Sequence, residues 1–339
     1  MRQFEEEIEK YTGAKYAVAV NSGTAAIHTA LAAAMSNTTT KTPEVITTPL
    51  SFSATANAII HNECKPIFVD VNEKTFNIDE ELIEDKINNN TVAIEPVDVY
   101  GLPAELGAIN SIARSHSIAV VEDAAEAIGA SYENSRVGNV STLTCFSTYA
   151  TKNIHSGEGG FITTNSENFA SYMRIFRNQG QVSKYNQTIL GYNYRMTEIS
   201  AATILSQVPK IDQMKAKRRE HALKILDGLS SVDSIGFQRV RDPSQHAWYM
   251  LAVILDESRA SISRDKLVTG LNEHGVEADI AWPTPIHLQP YYRMRFGFSV
   301  GDYPIAEKIC KSVFQLPIHP DLSAEQVERV ISTVKSVLK

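Results

Sequence analysis

The chain has 339 residues, 43% of them hydrophobic and 21% charged, with no low-complexity tract, which excludes a disordered or fibrous protein and leaves room for a large domain plus a smaller one. A net charge of −7 argues against a nucleic-acid or membrane-surface role, because both draw on clustered Lys and Arg. Three widely spaced cysteines, Cys64, Cys145 and Cys310, form neither a disulfide framework nor a metal-binding pair, the opening Met1-Arg2-Gln3-Phe4-Glu5-Glu6-Glu7 lacks the apolar core of a signal peptide, and no long uncharged apolar run offers a membrane span, so a cytoplasmic protein is expected.

Apolar runs bounded by turn residues predict strands at Tyr16–Val20, Glu44–Thr47, Lys65–Val69, Val92–Glu95 and Ala119–Glu122, with helices near 24–35, 53–62, 79–88 and 104–116 between them. That alternation predicts an α/β fold, a mainly parallel sheet covered on both faces. Ligands then belong beyond the carboxyl ends of the strands, on the loops after Val20, Thr47, Val99 and Glu122. After Pro209 the pattern changes to a charged helix Lys210–Leu229, a strand Ala247–Leu255, a helix from Ser263 to His274 and a closing helix Ala324–Leu338. This divides the chain into a large domain over 1–209 and a smaller α+β domain over 210–339.

Three segments could carry chemistry. In Val20-Asn21-Ser22-Gly23-Thr24-Ala25-Ala26 a strand runs through Gly into an Ala-rich helix, where exposed N–H groups and the helix dipole suit a phosphate, or where Ser22 or Thr24 is simply an N-cap. In Val120-Val121-Glu122-Asp123-Ala124-Ala125-Glu126 a buried strand ends in carboxylates; Asp123 there needs a cationic or donor partner such as a pyridinium nitrogen, or it caps the following helix. In Cys145 to Gly160 an apolar, hydroxyl-rich strand leads to Lys152 and a glycine cluster; a desolvated lysine would have a lowered pKa and a free amine for Schiff-base chemistry, although most lysines are solvated surface groups.

Together with Thr48 to Asn57, Pro66 to Val71, Gly191-Tyr192-Asn193-Tyr194-Arg195-Met196 and Pro285-Ile286-His287-Leu288-Gln289-Pro290-Tyr291-Tyr292, these segments resemble the DegT/DnrJ/EryC1/StrS family of nucleotide-sugar aminotransferases. The resemblance implies a fold-type I enzyme using pyridoxal 5′-phosphate (PLP), with Lys152 as the Schiff-base lysine and Asp123 against the pyridine nitrogen. It further implies Phe52 stacked on the cofactor, Gly23, Thr24 and Ser147 around its phosphate, and Glu126 beside its phenolic oxygen, where many members carry Gln. Asn193 matches a position that reaches a phosphate across a subunit interface, so a homodimer with shared sites is implied. Tyr149, His287 and Tyr292 are candidate contacts to the sugar nucleotide, each with a plain packing or turn-stabilising alternative. Arg195 could anchor an anion or form an interface ion pair. Most members have roughly one or two further helices of chain ahead of the segment matched by Phe4-Glu5.

The implied reaction moves an amino group from an amino acid, L-glutamate by resemblance, to a 3- or 4-keto sugar on a nucleotide. Lys152 would act in turn as base and acid. A sugar dehydratase of the same fold is an alternative, but those relatives replace the lysine with His. A non-catalytic PLP-binding or regulatory protein is a second alternative, and a third is a fold-type I enzyme of the glycine-cleavage or the cysteine-desulfurase type. The last lacks a cysteine in a Gly-rich loop. His246-Ala247-Trp248-Tyr249 reads as the start of the small domain's first strand.

Overall fold

Residues in β1 (Tyr16–Val20) alternate between two cores, as a pleated strand requires. Val18 and Val20 pack against the Ala-rich helix α2 (Gly23–Ala34), while Ala17 and Ala19 face Phe4 and Ile8 of helix α1 (Arg2–Thr12). Ser22 caps α2 by accepting a hydrogen bond from Ala25 N at 3.0 Å, so the chain leaves the strand and enters the helix within three residues.

The computed structural model describes residues 1–339. Strands β2 (Glu44–Thr47), β3 (Lys65–Phe68), β4 (Thr91–Glu95), β5 (Ala119–Asp123), β6 (Leu143–Ser147) and β7 (Gly160–Thr164) join β1 in one sheet of order β1-β7-β6-β5-β4-β2-β3. Only β7 runs against the others. The sheet is therefore mainly parallel, as the alternation requires, and the carboxyl ends of β1, β5 and β6 lie along one rim. Beyond residue 210 a further hydrophobic cluster forms. There helices Ile211–Leu229, Arg264–Glu273 and Ala324–Val337 cover a three-stranded antiparallel sheet, Ile235–Phe237, Leu251–Leu255 and Val313–Leu316.

Two expected elements differ. Residues 79–88 form two single-turn 3-10 segments, Glu80–Leu82 and Glu84–Lys86. Ile83 alone buries fully there while Leu82 is exposed, so the segment has no apolar stripe long enough to hold an α-helix. The strand expected from Ala247 starts only at Leu251. Residues 246–250 instead turn back over the large sheet, with Trp248 in the left-handed region at φ 54.

Candidate active site

The rim of the large sheet encloses a cavity of about 510 Å³ whose wall includes Gly23, Thr24, Phe52, Asp123, Glu126, Ser147, Tyr149 and Lys152. Gly23 is required by space: a Cβ there would stand 2.8 Å from Ser147 Cβ, closer than carbon atoms approach. The first N–H groups of α2 and the Ser147 hydroxyl thus share one small concavity, and that hydroxyl accepts from Tyr149 N at 3.3 Å.

Lys152 sits on a tight loop between β6 and β7. Thr148 N donates to Gly159 O at 2.9 Å and Ser156 N to Thr148 O at 2.9 Å, which closes the loop across its base. Gly159 lies so close that a Cβ would fall 2.3 Å from Thr148 Oγ1. The Lys152 side chain, 13% exposed, places Nζ 3.1 Å from Glu126 Oε1 and 4.2 Å from the centre of the Tyr249 ring. Burial pulls its ammonium pKa down, but the Glu126 carboxylate, Tyr249 and Asp123 together outweigh burial and leave it raised. The lowered pKa expected from the sequence is therefore not found, because a carboxylate partner accompanies the desolvation.

Asp123 ends β5 at 5% exposure. Its Oδ2 accepts from Thr55 Oγ1 at 2.8 Å and its Oδ1 from Ala125 N at 3.1 Å. Burial raises its pKa against these two donors and against Lys152. Behind it lie three fully buried carboxyls, Glu95, Asp98 and Glu122, all raised by burial. Asp98 Oδ2 and Glu122 Oε1 have no hydrogen-bond partner, and the neighbouring Glu122 charge adds to burial in raising Asp98. Glu126 fixes the neighbouring turn, accepting from Tyr100 N at 3.0 Å through Oε2.

Thr55 is expected to set the acid limb of activity. Its hydroxyl lowers the Asp123 pKa, so Thr55→Val raises that pKa and protonates Asp123 at a higher pH. A pH profile of kcat/KM should show the acid limb moved upward, because the lost hydrogen bond favoured the charged carboxylate. An unmoved limb would detach Thr55 from Asp123.

The remaining candidates lie elsewhere. Tyr292 borders an adjoining cavity of about 810 Å³ that shares Ser51, Phe52 and Trp282 with the first, but its hydroxyl already donates to Asn57 Oδ1 at 2.6 Å. His287 is corrected: it is 0% exposed, its Nε2 lies 3.2 Å from Glu307 Oε1, and it borders neither cavity. It is a core residue packed against Phe298 and Tyr303, with no surface open to a substrate. Asn193 is exposed and away from this chain's cavity; its carbonyl accepts from Asn21 Nδ2 at 3.3 Å. Arg195 donates to Asn178 Oδ1 at 2.9 Å. Thr55, Met250 and Trp282 join the wall, and so does Tyr249, which the sequence assigns to the small domain's first strand instead of to the site.

The model of the DegT/DnrJ/EryC1/StrS aminotransferase family matches residues 1–335. The chain belongs to this family. It is 35% identical to the GDP-perosamine synthase of Caulobacter vibrioides over 343 residues, covering 99% of this chain and 89% of that protein. Its fold is that of DesV from S. venezuelae, with a TM-score of 0.93 at 31% identity over 100% of this chain and 89% of that one. NtdA from Bacillus subtilis, solved with bound pyridoxamine phosphate (PMP), gives a TM-score of 0.90 at 29% identity over 99% of this chain and 76% of that one. The protein is thus a fold-type I, PLP-dependent sugar aminotransferase. No helix is long and apolar enough to cross a membrane.

Proposed function

We propose that this aminotransferase takes the amino group of L-glutamate and delivers it to a nucleotide-linked 3- or 4-keto sugar, with Lys152 as the acid–base group. The observation that carries the reading is the convergence of an amine, a buried carboxylate and a helix N-terminus on one cavity: Lys152, Asp123 and the α2 turn at Gly23.

The residues present fit PLP. The concavity at Gly23 would be filled by a Cβ and offers N–H groups and the Ser147 hydroxyl to a phosphate. Asp123 keeps lone pairs beyond those used by Thr55 and Ala125, enough for a pyridinium N–H. Gly23, Thr24 and Ser147 would hold the phosphate, Asp123 the ring nitrogen, Phe52 the ring face and Glu126 the phenolic side. When bound, the cofactor supplies an electron sink for the substrate carbanion.

The protein's own part is proton handling and placement. Lys152 Nζ takes the proton from the donor's Cα and later returns one. Glu126, 3.1 Å away, fixes where that amine waits. Tyr149, 46% exposed on the cavity wall, and Tyr292 on the adjoining cavity are placed to meet the sugar nucleotide. Asn193 is assigned to the site of a second copy in a homodimer. Its segment is tied to the phosphate turn, since Asn21 N donates to Tyr194 O at 2.9 Å.

L-glutamate added to the PLP-loaded protein should release one equivalent of 2-oxoglutarate, and a nucleotide-linked keto sugar added next should be aminated. Release with no keto sugar accepted would sink the acceptor assignment, and no release with any amino acid would sink the donor half as well.

A further inference from the structure

The wall around Lys152 is not built by the large sheet alone. Tyr249 comes from the segment between the first two strands of the small antiparallel sheet, and its ring lies under Lys152 Nζ at 4.2 Å. We propose that Tyr249 is a positioning residue for Lys152: its ring face holds the lysine ammonium whenever the amine is not bonded to the cofactor. The inference rests on the assignment of Lys152 as the amine that bonds the cofactor.

Four restraints hold the ring in place. Ala247 N donates to Gly101 O at 2.8 Å and Met250 N to Tyr100 O at 3.3 Å. Asn153 Nδ2, next in the chain to the lysine, donates to Ala247 O at 3.0 Å. The Tyr249 hydroxyl lies 3.1 Å from Thr151 Oγ1, on the lysine's other side. Between these ties Trp248 adopts φ 54 and stacks on His246 with centroids 4.4 Å apart. The segment's departure from an extended strand is what brings Tyr249 inward.

The pairing suits a group that must alternate between bound and free. A lysine has four rotatable bonds, and one carboxylate fixes only one of its three donors. A second carboxylate in place of the ring would hold the proton more firmly and hinder its transfer. An aromatic face attracts the ammonium without accepting a hydrogen bond, so Nζ is located yet released without breaking one. The charged or titratable groups facing the amine are Glu126, Tyr249 and Asp123.

The test is competitive labelling of the full-length, cofactor-free protein with a trace of isotopic acetic anhydride across a pH series, reading the Lys152 peptide by mass spectrometry. The midpoint of the pH curve, not its plateau, separates basicity from access. Tyr249→Leu keeps apolar bulk but removes the ring; its midpoint should fall so that labelling below it is roughly threefold to tenfold faster than wild type. Tyr249→Phe should stay with wild type. An unmoved midpoint in Tyr249→Leu overturns the proposal, and so does Tyr249→Phe behaving like Tyr249→Leu, which would assign the hold to the hydroxyl. The underlying lysine assignment fails separately, if Lys152→Ala retains the visible absorbance that PLP gains in wild type.

Discussion

Lys152→Ala is expected to lower kcat by about three orders of magnitude while the protein stays folded and still takes up PLP. Lys152 is the only amine on the cavity wall. Asp123 and Glu126 are carboxyl groups held in place as acceptors, Asp123 by Thr55 and Ala125 and Glu126 by Tyr100 N. Lys152→Arg should fail equally, because a guanidinium stays protonated at any working pH and offers no free amine. The Asp123, Ser147 and Gly23 cradle is untouched by either change, so retention of cofactor on gel filtration separates loss of chemistry from loss of binding. The measurement is a single-turnover assay of 2-oxoglutarate release from L-glutamate, with the visible spectrum followed in parallel. A Lys152→Ala protein that turns over within tenfold of wild type would remove the lysine from the mechanism.

What the sequence disclosed about this site depended on how local the determinant was. Gly23, Asp123 and Lys152 each lie where a strand meets a turn, and strand ends are readable from apolar runs and the residues that stop them. The restraints on those residues are long-range and were not readable. Thr55 reaches Asp123 across 68 positions, and Tyr249 reaches the lysine from 97 positions further along the chain. Residues 247–250 share the apolar, aromatic composition of the true strand Leu251–Leu255 that follows them. Propensity therefore extended the strand, whereas hydrogen bonds to Gly101, Tyr100 and Asn153 hold the segment in the site instead. The lysine's raised pKa was missed for the same reason: burial was legible from the strand that precedes it, but its partner Glu126 was weighed only against the cofactor. His287 was misread in the opposite direction, since a polar residue in a Pro-flanked loop looked accessible while Glu307, 20 positions later, draws it into the core.

Arg177→Ala is expected to destabilise the protein by about 3–5 kcal/mol, because it strands a buried carboxylate. β1 is the outer strand of the large sheet, and its free edge is satisfied by side chains instead of another strand. Ala17 N donates to Glu9 Oε1 and Ala19 N to Glu5 Oε1, each at 2.9 Å. Arg177 Nη1 closes the arrangement, donating to Glu5 Oε1 at 2.5 Å and to Ala19 O at 2.6 Å. Glu5 and Arg177 are both 7% exposed, so water cannot replace the lost guanidinium. The expected fall in thermal midpoint is roughly 4–7 °C. Adding Glu5→Gln should recover part of that loss, since the amide oxygen still accepts from Ala19 N while the unpaired charge disappears. Glu5→Gln in the presence of Arg177 should cost less than Arg177→Ala alone. A loss below about 1 kcal/mol for Arg177→Ala would mean that the pair is hydrated in solution and that the edge of β1 is held by Glu9 and packing. Because β1 runs directly into Asn21-Ser22-Gly23, the same substitution should also weaken PLP retention, and restoring stability with Glu5→Gln should restore both together.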